Sequence, residues 1–240
     1  QTFDLPDKRA IVCTMKAKLI TLVGILLAAC LSAFGADDEG AAGPGHIDLP
    51  PPRTSGGMPL MTALSNRQSD RAFKPDPLPL QTVSDLLWAA FGVNRPEYGM
   101  RTAPSSYNWQ DIVLYVFTAD GVWTYDAFEN RLVGVKAGDH RALAGMQGYV
   151  RTAPLSIVYV SDTTRMVQGD TEFSDRYKFM IGCLDAGHIS QNVYLFCASE
   201  GLGAVARASV DRERFADAFD LPETHNVIFG QTVGTVEENE

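Results

Sequence analysis

The sequence predicts an α+β fold in which a mainly antiparallel sheet is flanked by helices and crossed by one long central helix. Two features of the pattern support this class. Helical and β-rich segments are mixed without the strict alternation of parallel α/β proteins, and a hairpin pattern lies in the middle of the chain. A third feature is a single long helical pattern over Phe173–Glu200.

The individual elements follow from the spacing of apolar residues. A short helix is expected over Met58–Leu64, and a clearer one over Leu80–Phe91, where Gly92 supplies the stop. Short helices are also expected near Arg141–Gln147 and over Arg212–Phe219. β-Branched and aromatic runs predict the strands Ile112–Thr118, Val122–Tyr125, Leu132–Val135, Leu155–Val160, Ala204–Val210 and Val227–Gly230.

The long helical pattern is apolar on nearly all sides, which is typical of a helix buried all round. One subunit of this size rarely encloses such a helix alone, so a second subunit is expected against it. Gly182 and Gly187 lie inside the pattern, where small residues let another backbone or a flat ring approach closely. An ordinary central core helix explains the same pattern, and the sequence leaves both interpretations open.

The N-terminal part is predicted to be a targeting segment. Residues 1–14 precede a credible start at Met15 and are treated as upstream sequence. Residues 15–36 have two lysines, a short apolar run and then small residues, which is the layout of a signal peptide. Residues 37–57 are rich in Gly, Pro and Ala and are expected to form a linker. The folded domain is expected over residues 58–236.

Two processing sites fit this segment. Leu27-Ala28-Ala29-Cys30 resembles a bacterial lipobox, which would make Cys30 a lipid-anchored N-terminus, whereas Ala33-Phe34-Gly35 suits an ordinary signal peptidase. Both remain open. Either one predicts export, to the periplasm or to a lipid anchor on the bacterial envelope.

Charge and cysteine usage exclude several classes of function. The formal net charge of -9 argues against nucleic acid as a partner, because an acidic surface repels phosphate backbones. Cys183 and Cys197 fall in one predicted helix, too far apart for a disulfide and without metal-ligand spacing. We therefore expect them to be small buried hydrophobic residues and predict no metal site.

The strongest local motif is Asn66-Arg67-Gln68-Ser69-Asp70-Arg71-Ala72-Phe73. In an extended segment alternate side chains share one face, so Arg67, Ser69 and Arg71 would point the same way. Two guanidinium groups and a hydroxyl suit a phosphate dianion. The alternative is a solvated charged loop in which Asp70 neutralises one arginine.

The same segment resembles the opening of the FMN-dependent nitroreductase family, where an Arg-x-Ser-x-Arg-x-Phe pattern follows a short helix. Three further stretches in the family's order extend the resemblance over about residues 58–236. They are Arg101–Gln110 with its Pro-Ser and Asn, the stretch from Asp185 to Gly203 with its Gly-Leu-Gly exit, and Gly230–Gly234 at the closing strand. Within the family, the chain looks most similar to the branch of thiazole/oxazole-forming peptide dehydrogenases.

The resemblance implies an FMN-dependent oxidoreductase that works as a homodimer on a small or peptide substrate. Arg67, Ser69 and Arg71 would hold the phosphate and ribityl chain, with a polar contact from Gln68. The isoalloxazine would be lined by Pro104, Ser105, Ser106 and Asn108, from the neighbouring subunit's side, and by the backbone at Gly201, Leu202 and Gly203. The flavin carries the redox chemistry, so no catalytic side chain is required.

The chain departs from the family pattern in two places. Family members often place a Lys or Arg near the C-terminus on the phosphate, but here the last basic residue is Arg214. Tyr177-Lys178 lies close to where the peptide-dehydrogenase branch uses a Lys and a Tyr in catalysis, but in reversed order. The weakened phosphate contact keeps an alternative open, a non-catalytic protein that binds flavin or another planar ligand on the same scaffold.

Overall fold

The computed structural model describes residues 45–237, and the signal segment, Cys30 and residues 37–44 of the expected linker lie outside them. Within the described residues, seven strands form one sheet in the order β1-β6-β5-β4-β7-β9-β8, and every neighbouring pair is antiparallel. Two further short strands, β2 and β3, pair separately. The strands are β1 His46–Asp48, β2 Val93–Arg95, β3 Met100–Arg101, β4 Ile112–Phe117, β5 Gly121–Asp126, β6 Arg131–Ala137, β7 Leu155–Asp162, β8 Gly203–Arg207 and β9 His225–Gly234.

Within residues 45–237, four α-helices accompany the sheet: α1 Leu60–Asn66, α2 Leu80–Phe91, α3 Asp175–Glu200 and α4 Arg212–Ala218. Side chains of α2 and α3 share one apolar cluster with Leu114 and Ile157, while α4 packs through Phe215 with Phe117 and Val158 in another. Because Ile157 and Val158 are adjacent on β7, these clusters lie on opposite faces of the sheet. The central strand β7 is therefore buried on both sides, as predicted from its run of mostly apolar residues.

Local signals fix both ends of α3. Ser174 caps the N-terminus by accepting a hydrogen bond from the amide of Tyr177, so the helix begins two residues later than predicted. Gly201 ends it in the left-handed conformation, with φ of 70°. Within the protomer α3 is not buried all round. One face is buried against the sheet, whereas Phe179, Met180 and Leu184 are 43–55% exposed.

The structure differs from the sequence prediction at three weakly patterned places. His46–Asp48 lie in the expected linker but pair with Arg131–Val133 as the edge strand β1, so the linker does not extend through its described part. The helix expected near Arg141–Gln147 shrinks to one 3-10 turn over Arg141–Leu143. The strand expected over Ala204–Val210 ends at Arg207, where its pairing with β9 stops.

The two glycines of α3 have different surroundings. Gly182 faces β7, and a Cβ there would lie 2.7 Å from Ser161 Oγ and 2.8 Å from Ser161 Cβ. Gly187 is exposed and has no atom within 4 Å of such a Cβ. Close packing of α3 against β7 within one protomer therefore explains why residue 182 is a glycine. Gly187, by contrast, leaves open space on the outer face of the helix.

We predict that Gly182→Ala lowers the free energy of unfolding by about 1–2 kcal/mol. Overpacking a core contact typically costs ~1–3 kcal/mol, which exceeds the ~1 kcal/mol that alanine gains in helix propensity. Urea denaturation measures the difference. The control is Gly148→Ala, since a Cβ built at Gly148 has no atom within 4 Å and the substitution causes no overpacking. An unchanged midpoint for Gly182→Ala would show that α3 can shift away from β7 at little cost.

Candidate functional site

The Arg67–Arg71 segment follows directly from α1 and lies along the end of the sheet. Arg67 closes α1 through its amide, and the amide of Asp70 donates to the carbonyl of Ala204 on β8 over 3.1 Å. Phe73 is buried and forms a bridge with Val236 beyond β9. The backbone of the segment is thus fixed at both ends, while most of its polar side chains remain accessible.

Tyr194 of α3 brings two of the predicted phosphate ligands together. The guanidinium of Arg67 lies over the Tyr194 ring, 5.4 Å from its centroid, and Ser69 Oγ is 3.1 Å from the Tyr194 hydroxyl. That hydroxyl accepts a 2.7 Å hydrogen bond from the amide of Ala206, so its own proton is free for Ser69. Sequence reasoning assigned Tyr194 no role, although it lies within a stretch that carries the family resemblance.

Both predicted phosphate-binding arginines keep their charge available. Asp70 Oδ1 accepts a 3.0 Å hydrogen bond from the side-chain Nε2 of Gln68, and within residues 45–237 it forms no ion pair with Arg67 or Arg71. Arg71 folds back onto the carbonyl of Ser69 over 3.3 Å. The alternative in which Asp70 neutralises an arginine is therefore not what this structure shows.

The Gly-Leu-Gly exit of α3 lies beside the same segment. A cavity of about 200 Å³ joins the two and is lined by Asn66, Gln68, Asp70, Tyr194, Cys197, Ala198, Gly201, Leu202, Ala204 and Val236. Gly203 is required by close packing, because a Cβ there would lie 2.6 Å from Val236 Cγ2 and 2.9 Å from Asp70 Cβ. Of the predicted site residues, Gln68, Gly201 and Leu202 line this cavity, while Arg67 and Ser69 lie next to it through their contacts with Tyr194.

The second predicted set, Pro104, Ser105, Ser106 and Asn108, occupies a loop near the middle of α3. Ser105 Oγ accepts from the amide of Gln110, and Asn108 Oδ1 accepts from the Gln110 side chain. Tyr107, Asn108 and Gln110 all have φ near 50°, a left-handed conformation that costs free energy in residues other than glycine. This loop lines no part of the cavity beside Arg67.

A buried pair of carboxyl groups holds this loop to α3. Asp185 of α3 accepts a 3.0 Å hydrogen bond from the amide of Ser106 and faces Asp111, which is fully buried. Asp111 Oδ2 accepts from Ser161 Oγ over 2.6 Å, whereas Oδ1 has no hydrogen-bond partner. Burial, followed by the neighbouring Asp111, raises the pKa of Asp185 to about 7. A proton on Asp185 would supply the donor that Asp111 Oδ1 lacks.

The two halves of the predicted site are separated along α3. Asp185, which holds the Pro104–Gln110 loop, and Tyr194, which contacts Arg67 and Ser69, are nine residues apart, or about 14 Å along a helix. A single protomer therefore does not combine the phosphate residues with the loop residues in one cavity.

The remaining candidates lie elsewhere on α3. The ring of Tyr177 stacks on Phe173 at 5.1 Å, and Lys178 is half-buried. Neither lines the cavity beside Arg67. Cys183 and Cys197 are free thiols. Cys197 is buried, as expected, whereas Cys183 is only partly buried.

Comparison with known proteins agrees with this geometry. The sequence model of a protein family described as "Nitroreductase family" matches residues 64–235. The chain belongs to the nitroreductase family. This confirms the predicted α+β fold and the predicted class, an oxidoreductase with FMN as cofactor.

Individual relatives extend the comparison. A protein of Methanocaldococcus jannaschii named as a nitroreductase is 33% identical over 159 residues, covering 61% of this chain and 77% of the relative. A crystal structure named as a nitroreductase from Ralstonia eutropha is 39% identical, with a TM-score of 0.75 over 86% of this chain and 97% of that one. The NADPH:FMN oxidoreductase of Vibrio harveyi, solved with NAD+, is 22% identical at a TM-score of 0.56 over 75% and 70% of the chains, and it supports the fold alone.

The Asp185–Asp111 pair predicts a stability that falls as pH rises. The pKa of Asp185 in the folded chain lies above its ordinary value near 4, so its contribution is complete below pH about 4 and lost by pH about 7. Asp185→Asn keeps an acceptor for Ser106, adds a donor for Asp111 and cannot ionise. We expect this variant to gain on the order of 3 kcal/mol relative to wild type between these pH values.

Urea denaturation at pH 4, 5, 6, 7 and 8 measures the difference in free energy of unfolding. Asp170→Asn serves as the control, because Asp170 is exposed in a loop and the substitution makes the same change in charge. A difference between Asp185→Asn and wild type that is the same at every pH would mean that the buried pair does not share a proton.

Proposed function

We propose that this protein is a homodimeric FMN-dependent oxidoreductase that acts on a small molecule, with each flavin held between two protomers. The observation that carries the proposal is the surface around Tyr194. There Arg67 and Ser69 contact Tyr194, which lines a cavity together with Gly201 and Leu202. Neither Arg67 nor Arg71 forms an ion pair with an acidic side chain in the described part of the chain.

This surface fits a flavin phosphate. Arginine binds phosphate through two parallel N–H groups, and charge-assisted hydrogen bonds of this kind are about twice as strong as neutral ones. The Ser69 hydroxyl, oriented by Tyr194, adds a donor or acceptor for phosphate or ribityl oxygens. A cluster of two cations in a chain of net charge -9 also provides a local attraction for an anion that the rest of the surface repels.

Bound FMN supplies the hydride and electron transfer that side chains cannot perform. The protein's own contribution is to bind and orient the cofactor and to exclude water. Gly201 is exposed and lines the cavity, so its backbone is accessible there, whereas Gly203 is buried beside Asp70 and Val236. Tyr177 and Lys178 lie close to where the peptide-dehydrogenase branch would place catalytic side chains. The proposed chemistry does not depend on either residue.

The dimer is proposed from two independent features. The exposed side of α3 carries large apolar residues, Phe179, Met180 and Leu184, that one protomer leaves in water. The two halves of the site are also about 14 Å apart along the same helix. A second copy packed on the outer face of α3 would cover the apolar residues and bring its own Pro104–Asn108 loop towards the flavin.

We also propose that the mature protein is exported. The basic, apolar and small-residue order of residues 15–36 supports this, with Cys30 or the stretch at Ala33–Gly35 as the processing point. No helix within residues 45–237 is both long and apolar enough to cross a bilayer. NADPH is not expected outside the cytoplasm, so an exported enzyme would take electrons from another reductant and pass them to a quinone-like or nitroaromatic acceptor.

The phosphate assignment predicts that Arg67→Ala and Arg71→Ala each weaken FMN binding. A hydrogen bond to a charged group contributes ~1.5–3 kcal/mol, which corresponds to roughly 10- to 100-fold in Kd. Quenching of flavin fluorescence on titration with protein measures this Kd. Arg214→Ala is the matched control, because Arg214 is exposed on α4 across the sheet.

Two results would count against the proposal. A chain that binds no FMN, or that binds it equally well in all three variants, contradicts the phosphate site. If FMN binds but the dithionite-reduced protein is never reoxidised by quinones, nitroaromatics or oxygen, the carrier alternative replaces the enzyme.

The dimer assignment predicts that Met180→Asp produces a monomer with weakened FMN binding, because a carboxylate would be buried in an apolar interface. Sedimentation velocity measures the assembly, and flavin fluorescence measures binding on the same samples. Met146→Asp makes the same chemical change at a residue that is 70% exposed but not on α3. If Met180→Asp remains dimeric, the outer face of α3 is not the interface.

A further inference from the structure

A second cavity, of about 300 Å³, lies at the end of α2 and carries two arginines. Its lining includes Arg101, Arg165, Phe91, Tyr125, Asp126 and Phe128. This volume is at the lower end of the ~300–1,000 Å³ typical of small-molecule sites. None of these residues belongs to the surface around Tyr194, and neither the sequence analysis nor the proposed function uses this cavity.

Arg101 is held in place without an acidic partner. Its guanidinium lies between two aromatic rings, 4.8 Å from the centroid of Phe91 and 5.0 Å from that of Phe128. Nε donates to Gln110 Oε1 over 2.7 Å and Nη1 to the Phe91 carbonyl over 3.0 Å. Within residues 45–237 no carboxylate lies within 4.0 Å of it. Burial, together with nearby Arg165, lowers the pKa of Arg101, and Tyr125 and Asp126 only partly offset this effect.

Arg165 also contacts Gln110, at its backbone. Its Nη1 donates to the Gln110 carbonyl over 2.9 Å, and its Nε donates to Asp162 over 3.0 Å. In both arginines Nη2 has no hydrogen-bond partner among the described residues and is not among the buried unpaired atoms. Two guanidinium groups therefore line one cavity, with a donor left over on each.

The charges around the cavity favour an anion. Asp162 compensates Arg165, and Asp126, which also lines the cavity, lies 3.6 Å from Arg131. Arg101 has no carboxylate within 4.0 Å in the described part of the chain, and Asp126 attracts it only from a longer distance. Placing an unpaired cation in a partly desolvated site costs free energy that a bound anion would recover. The rings of Phe91, Tyr125 and Phe128 offer an apolar wall to the rest of such a ligand.

We infer that this cavity binds a small aromatic carboxylate, with the carboxylate on Arg101 and Arg165 and the ring against Phe91, Tyr125 and Phe128. Paired guanidinium donors match the two oxygens of a carboxylate. The aromatic wall separates this ligand class from inorganic anions, which would gain nothing from it. The inference does not rest on the flavin assignment, because no residue that lines this cavity is assigned to the flavin; Gln110 connects its two arginines to the loop of Ser105 and Asn108.

The test uses benzoate and its neutral analogue benzyl alcohol, titrated into the full chain by isothermal calorimetry. We expect benzoate to bind at least tenfold more tightly than benzyl alcohol. Arg165→Gln should weaken benzoate at least fivefold, whereas Arg214→Gln should change it less than twofold. Asp126→Asn should tighten it, because the substitution removes the carboxylate from the wall and keeps an oxygen for the amides of Phe128 and Glu129.

Equal affinities for benzoate and benzyl alcohol would overturn the inference on the wild-type protein alone, whether or not the variants fold. Equal losses in Arg165→Gln and Arg214→Gln would overturn it as well, since they would indicate a general charge effect. Flavin content is measured separately by visible absorbance. Loss of the flavin proposal therefore leaves this result interpretable, and the reverse is also true.

Discussion

The site depends on one constraint, the fixed position of α3 across the sheet. Ser174 and Gly201 set its two ends, and Gly182 lets it lie against Ser161 of β7 at a distance that no larger residue would permit. Asp185 and Tyr194 therefore have fixed positions along α3. Because each of them contacts one half of the candidate flavin site, the separation of the halves is a property of the helix and not of the loops.

Electrostatics determine what the residues around Tyr194, near the C-terminal end of α3, can bind. The chain is acidic overall, and an acidic residue lies within the binding segment itself. The side chain of Gln68 donates a hydrogen bond to Asp70. This carboxylate therefore has a partner that is not an arginine. The aromatic face of Tyr194 supports Arg67 through a cation–π contact, which holds the guanidinium without reducing its charge. Two cations are thus kept available against an unfavourable background.

Strong local patterns in the sequence predicted much of the fold. The helix expected over Leu80–Phe91 is the helix observed, and the buried strand from Leu155 was evident from its apolar run. The strand His46–Asp48 was not predictable in the same way. It has three residues, follows a Gly- and Pro-rich stretch, and exists because β6 offers an edge for it to pair with. Its cause lies in tertiary contact and not in its own composition.

The site shows the same division. Arg67, Ser69 and the glycines form motifs that can be recognised by spacing, whereas Asp185 is one of several polar residues in the sequence of α3 and has no distinguishing pattern. Its role emerges only in three dimensions, where it contacts Ser106 and Asp111, and Asp111 is held in turn by Ser161.

Burying two carboxyl groups without a cation is expensive, and a well-packed apolar pair would often be more stable. The loop that they hold carries left-handed φ angles at Tyr107, Asn108 and Gln110, which adds to the cost. Both unfavourable features occur at the stretch expected to line the flavin. Such a coincidence is typical of a binding site, where precise placement of a loop outweighs its cost in stability.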